Sequence, residues 1–287
     1  MPFVSLPSEA RFHLWYDAFA ERKFAALSAG SWIRMTGVLS QELRDGVAWL
    51  RMNRPEKRNA FNRELALAVT EQIDELAADD GVRVVVLTGA GSSFCAGADM
   101  TEALDTLESG GRGDGMAQAV VRVMGFPKPV VACINGPAFG GGAALALACD
   151  IRISSERAAF RFPGANYGLV VSGSQLPRIV GAAMAKELIF TARVVEAEEA
   201  ERIGLVNRVV PHDRLDETVW DLARQIAQQS PDAVRWSKAV IDATTESNKG
   251  VALEAEANRA LRGSPDHVAR FRAATERVAP AEGGNAS

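Results

Sequence analysis

Between residues 47 and 154 the chain alternates short, nearly unbroken apolar runs with longer segments of helical periodicity, a pattern that few folds satisfy. Val82–Thr88 (VRVVVLT) and Pro129–Ile134 (PVVACI) read as strands apolar on both sides, as in a sheet covered above and below. Val47–Asn53 (VAWLRMN) and Asp150–Ser154 (DIRIS) read as two more. Between them, Arg63 to about Ala78 predicts a helix capped by Asn62, with Leu65, Val69, Ile73 and Leu76 as its buried stripe. Met116–Met124 and Gly140–Cys149 also read as helices. This order implies right-handed βαβ crossovers and an α/β core. After about Asn166 helical periodicity dominates, over Ala182–Phe190, Ala197–Ile203, Leu215–Ala227, Pro231–Ala243 and Val251–Arg262, with Leu205–Val210 as a late strand. Pro280–Ser287 reads as a frayed tail.

Composition removes several function classes. With 287 residues, 47% apolar and 24% charged, the chain can bury a sizeable core. A net charge of -4 offers no basic footprint for nucleic acid or an anionic membrane, and no apolar run approaches a bilayer's thickness. Cys95, Cys133 and Cys149 are scattered, with no CxxC pair, which argues against a disulfide framework or a metal cage and fits a reducing, cytoplasmic setting. The first 35 residues read as a non-catalytic extension, with no secretory-signal pattern and a short amphipathic helix over Tyr16–Ala29 carrying Phe19, Phe24 and Leu27.

Two glycine-rich stretches carry the chemistry. Gly89–Asp99 (GAGSSFCAGAD) follows a strand and leads into a helix, so its backbone N–H groups are free to face a ligand. As a dinucleotide fingerprint it fails, because GAGSSF lacks the third glycine and no acidic residue ends a following strand at the required distance. Asn135–Ala144 (NGPAFGGGAA) places three glycines at a helix start, where free donors and the helix dipole suit a developing oxyanion. Close helix packing on small residues is the competing reading of the second stretch, and glycine-rich turns like the first are common by themselves.

Taken together and in order, Met52–Phe61 (MNRPEKRNAF), FCAGADM, INGPAFGGG, CDIRIS and Gly204–Pro211 (GLVNRVVP) resemble the crotonase, or enoyl-CoA hydratase/isomerase, family over about residues 36 to 277. The resemblance implies a ββα spiral core over 36–230 and a C-terminal helical oligomerisation region over 231–287, in a homotrimer or a hexamer of two trimers. It implies an acyl-CoA ligand whose thioester oxygen is held by two backbone N–H groups, Ala98 and Gly141 here, in an enolate-stabilising oxyanion hole. Coenzyme A then enters as part of the substrate, and no separate cofactor or metal is expected. Lys57 and Arg58 would meet its phosphates, and Ala60, Ala96 and Asp99 would lie along the ligand.

The pattern departs where hydratases of that family carry acids. Their paired glutamates correspond to Ala144 and Gly164, and a third acid position, used in some isomerases, falls at about Ser172. None holds a carboxylate, so ordinary hydration of a 2-enoyl thioester is not expected. Tyr167 could donate a proton, against a ring-packing role. Glu102 is the nearest uncommitted carboxylate to the first loop in sequence, against an exposed helix-start role. Asp99 reads as a helix cap and Ser172 and Ser174 as turn or cap residues. Cys95 reads as small and buried. His13, His212 and His267 lie outside the motifs. Three functions remain open: an enzyme that relies on the oxyanion hole, a non-catalytic acyl-CoA carrier or sensor, and, least favoured because both donor loops are intact, a purely structural assembly subunit.

Overall fold

The computed structural model describes residues 24–28, 31–111, 115–245 and 248–278. Strands β1 (Phe24–Ser28), β2 (Ser31–Thr36), β3 (Leu39–Arg44) and β4 (Val47–Met52) form an antiparallel meander. From β4 onward the sheet is parallel, through β5 (Val84–Gly89), β6 (Val130–Ile134), β8 (Ile151–Ser155) and β11 (Arg208–Val210), giving the order β1-β2-β3-β4-β5-β6-β8-β11. A second sheet joins β7 (Ala138–Phe139), β9 (Ala159–Arg161) and β10 (Val195–Glu196).

The apolar runs behave as a two-faced sheet requires. In β5, Val85 and Leu87 pack with Leu65, Val69, Ile73 and Leu76 of α1 (Arg63–Ala78). Val84 and Val86 point the other way, against Leu215, Val219 and Ala223 of α8 (Leu215–Ala227). Each such side chain contributes about 1.5–3 kcal/mol when fully removed from water. Asn62 caps α1 as the sequence predicts, its side chain accepting from Leu65 N at 2.9 Å.

Downstream lie α2 (Met100–Glu108), α3 (Gly115–Met124), α4 (Gly141–Ala148), a 3-10 turn over Gly164–Tyr167, α5 (Leu176–Val180), α6 (Ala182–Thr191) and α7 (Ala197–Arg202). After α8 come α9 (Pro231–Thr245), α10 (Asn248–Leu261) and α11 (Pro265–Val278). The last two return to the molecule: Arg272 on α11 pairs with Glu108 on α2 at 2.7 Å. No helix among the described residues is long and apolar enough to cross a membrane.

Some sequence expectations shift. The helix predicted over Tyr16–Ala29 gives way to strand over Phe24–Ser28, because pairing with β2 outweighs a weak helical period. The part of it before Phe24 lies outside the described residues, as do His13 and the tail Pro280–Ser287. The strand β2 spans residue 35, where the extension was expected to end. Strand β3 escapes the period-2 pattern because Gln41 occupies an inward position between Leu39 and Leu43. Helix α11 is an addition, and the late strand shortens to Arg208–Val210.

All three thiols are buried. Burial pushes Cys95 and Cys149 up to about 12 from an ordinary value of 9.0, and Cys133 rises as well, through burial and the neighbouring Asp216. Because the folded-state values are raised, the stability they contribute is full below 9.0 and is lost as pH climbs toward about 12. The native protein is expected to react negligibly with an aromatic disulfide reagent at about pH 8, against all three thiols once denatured. Its melting temperature should fall across the alkaline window. Rapid labelling of the native state would contradict the buried placement.

Candidate functional site

The two glycine loops are joined by their own backbone. Phe94 N and Cys95 N donate to Pro137 O at 3.1 and 3.2 Å, and Phe139 N returns a bond to Cys95 O at 3.0 Å. Asn135 Nδ2 donates to Gly91 O at 2.9 Å, and Asn59 Nδ2 to Ala90 O and Ser93 O at 2.9 and 2.8 Å. The approach is so close that a Cβ on Gly142 would lie 2.1 Å from Cys95 O. Gly97 has φ of +100°, and a Cβ there would lie 3.3 Å from Gly141 N. Glycine at both positions is therefore required by space and, at Gly97, by backbone conformation.

This junction puts Ala98 and Gly141 on one chamber. Neither N–H finds an acceptor among the described residues. Gly141 also opens α4, so its amide stands at the positive end of that helix. The chamber is a cavity of about 380 Å³. Met100 and Leu107 of α2 and Met116, Val120 and Met124 of α3 give it apolar walls. Such a surface suits an apolar ligand segment, and the two amides can donate to a carbonyl oxygen beside it.

The structure brings Ala96, Ala144, Gly164, Tyr167, Ser172 and Ser174 to the same chamber. Ala144 and Gly164 are buried, and a Cβ on Gly164 would meet Leu169 O at 2.9 Å and Val171 Cβ at 3.1 Å. Ser172 has φ of 65°, and its buried Oγ has no hydrogen-bond partner among the described residues. Tyr167 stacks edge-on to Phe271 of α11, ring centroids 5.7 Å apart. Cys95, its thiol held protonated by burial, is not a nucleophile.

Other candidates lie elsewhere. Lys57 and Arg58 are exposed on a turn outside the chamber wall, and Arg58 O accepts from Ala96 N at 3.0 Å. Ala60 is buried. Asp99 holds the N-cap position of α2 without capping it through its side chain, contrary to the cap expected from sequence. Its carboxylate instead pairs with Arg54 Nη2 at 3.0 Å, while Arg54 Nη1 donates to Ala60 O. Glu102 Oε1 accepts from Arg63 N at 2.6 Å, so this carboxylate serves the start of α1 and not the chamber.

Sequence reasoning missed the wall supplied by α10 and α11. Glu254, Asn258, His267 and Phe271 line the chamber. Glu254 and Asn258 are four apart and share a helix face, a spacing visible in sequence, but nothing there says which loop they meet. His267, set aside because it lies outside the motifs, is buried with Nδ1 2.6 Å from Tyr167 O. A carbonyl only accepts, so Nδ1 carries the hydrogen of this bond.

Residues 42–276 match the enoyl-CoA hydratase/isomerase family. A putative enoyl-CoA hydratase of Thermus thermophilus is 38% identical over 243 residues, covering 82% of this chain and 96% of the relative. The short-chain-enoyl-CoA hydratase of Clostridium acetobutylicum is 41% identical over 216 residues, covering 73% and 83%. Among solved structures, an enoyl-CoA hydratase/isomerase from Pseudoalteromonas atlantica T6c superposes with a TM-score of 0.76 at 31% identity, covering 86% of this chain and 100% of that one. A monofunctional enoyl CoA isomerase from M. smegmatis gives 0.64 at 35%, covering 75% and 98%.

Proposed function

Because the chain belongs to the enoyl-CoA hydratase/isomerase family, we propose that it holds an acyl-CoA thioester and stabilises its enolate through Ala98 N and Gly141 N. One observation carries this reading: both amides lack an acceptor among the described residues and border the same apolar cavity. In such a setting, donors aimed at developing negative charge supply a large part of a rate enhancement. Lys57 and Arg58, exposed on their turn, suit the phosphates of coenzyme A, with Ala60, Ala96 and Asp99 along its path. The methionine- and leucine-lined wall favours a long or branched acyl group over crotonyl.

The reaction we propose is not standard crotonyl-CoA hydration, although relatives carry the name hydratase. Positions 144, 164 and 172 hold Ala, Gly and Ser, none of which moves a proton as a glutamate does. The space beside Gly164 is taken up by Leu169 O and Val171. That filling also favours the second reading, a carrier or sensor that binds acyl-CoA without turnover. The exposed Trp236, Val240 and Ile241 on α9 support self-association as a trimer or hexamer, and the buried free thiols suit a cytoplasmic compartment.

Long or branched acyl-CoA is expected to raise the melting temperature, and crotonyl-CoA to be hydrated at least about 100-fold more slowly than by a hydratase with paired glutamates. Rapid crotonyl-CoA hydration would overturn the reading of the vacant positions. Stabilisation by acyl-CoA, with no turnover over a panel of thioesters, would select the carrier.

A further inference from the structure

The glycine loops form one side of the chamber, and α10 and α11 close the other with ionisable side chains. Among the described residues lining it, Glu254 is the one carboxylate, alongside Arg161, Tyr167, Arg262 and His267. Glu254 Oε2 accepts from Ser174 N at 2.7 Å, and Oε1 has no protein partner among the described residues. One oxygen is tethered and the other is free. A turn further along α10, Asn258 Oδ1 accepts from Val170 N at 3.0 Å, and Asn258 Nδ2 donates to Val170 O. This double attachment holds α10 against the loop 169–174, so the carboxylate's position does not depend on its flexible stem alone. That loop carries Ser172, whose buried Oγ has no partner among the described residues. Arg161 Nε is occupied by Ala192 O at 2.7 Å, and His267 is anchored to Tyr167 O.

From this arrangement we infer that Glu254 is the chamber's proton-transferring residue, and that the chemistry it suits is a 1,3-shift of the double bond in a 3-enoyl thioester. The inference rests on the reading that Ala98 N and Gly141 N hold the thioester oxygen. The carboxylate removes a proton from the carbon next to the thioester carbonyl. The C–H pair forms a new carbon–carbon double bond to the carbonyl carbon, whose π electrons move onto the oxygen. The protonated carboxyl, whose hydrogen exchanges with solvent, then delivers a proton to the fourth carbon as the oxygen's pair re-forms the carbonyl and the remaining double bond settles between the second and third carbons. The carboxylate is regenerated, and no water, oxidant or reductant enters. Hydration asks for a second group to hold and deprotonate water, and no other carboxylate among the described residues lines the chamber.

The test uses the full chain with a long-chain 3-enoyl-CoA in deuterated water, following formation of the conjugated 2-enoyl thioester and deuterium entry at the second and fourth carbons. The wild type is expected to convert it. Glu254→Gln should lose about 100-fold or more in rate while keeping its melting temperature and its stabilisation by acyl-CoA, because glutamine's oxygen still accepts from Ser174 N. Glu254→Asp should keep part of the rate, which a merely structural tether would not predict. Equal rates in Glu254→Gln and wild type would overturn the assignment, as would a wild type that binds acyl-CoA yet forms no conjugated 2-enoyl thioester. So would loss confined to His267→Gln, which would move the role to the histidine. Absence of any acyl-CoA stabilisation would instead remove the thioester reading, and this inference with it.

Discussion

Gly142→Ala is expected to lower stability by about 3 kcal/mol or more and to abolish stabilisation by acyl-CoA. The added methyl would sit 2.1 Å from Cys95 O, 2.7 Å from Cys95 C and 2.8 Å from Cys95 Cβ. The two nearest are backbone atoms, so no rotamer change relieves the clash. The chain can respond only by prying the first glycine loop from α4, which separates Ala98 from Gly141. A melt should show a drop on the order of 10 °C for a chain of this size. Gly136→Ala should behave alike, since its methyl would meet Ser92 O at 2.0 Å. Gly37→Ala serves as the control: a Cβ there meets nothing within 4 Å, and the change should stay within about 0.5 kcal/mol. If Gly142→Ala melts with the control, the loops are not packed as described.

The same residues explain how far the fold was legible beforehand. Val84–Leu87 and Val130–Ile134 announced a doubly covered sheet because parallel strands bury both faces, and such runs survive any tertiary context. The glycines of the loops were legible because positions that exclude a Cβ leave no alternative residue. Strand β3 was not, since Gln41 occupies its inward face. Pairing partners of the leader were equally hidden, because an edge strand's identity is set by its neighbour and not by its own period. The site divides along the same line. The loop residues follow from local backbone chemistry. Glu254 and His267 reach the chamber only through the return of α10 and α11, a contact between segments about 80 to 100 residues apart. No spacing rule links a helix face to a loop at that distance. Glu102 shows the converse error: it is near the first loop in sequence, yet its carboxylate is bound to Arg63 N at the start of α1 and does not line the chamber.

Replacing Arg54 with methionine should cost about 2–3 kcal/mol and weaken acyl-CoA binding roughly tenfold, although Arg54 lies outside the chamber wall. Its guanidinium is the strap between the turn at 54–61 and the first glycine loop, through Asp99 Oδ2 at 3.0 Å and Ala60 O. Both side chains are only 13% exposed, so water cannot fully replace either partner, and the small residual exposure keeps the cost below that of breaking a fully buried pair. Asp99 follows Ala98 directly, and Asp99 N donates to Phe61 O at 2.8 Å, so freeing the carboxylate loosens the peptide that presents the Ala98 amide. Asp99→Asn should cost less, because an amide oxygen still accepts from the guanidinium and Ala60 O keeps its donor. The double variant Arg54→Met with Asp99→Asn should then be more stable than the sum of the single losses predicts, by about 1 kcal/mol or more, since neither charge is left alone. Surface pairs such as Arg235–Asp232, with side chains 54% and 75% exposed, should show no such coupling and should weaken with salt, whereas the Arg54–Asp99 term should persist. Additive losses at Arg54 and Asp99 in a denaturant series would mean that the turn is held by its backbone bonds alone, Phe61 N to Gly97 O at 2.7 Å foremost among them.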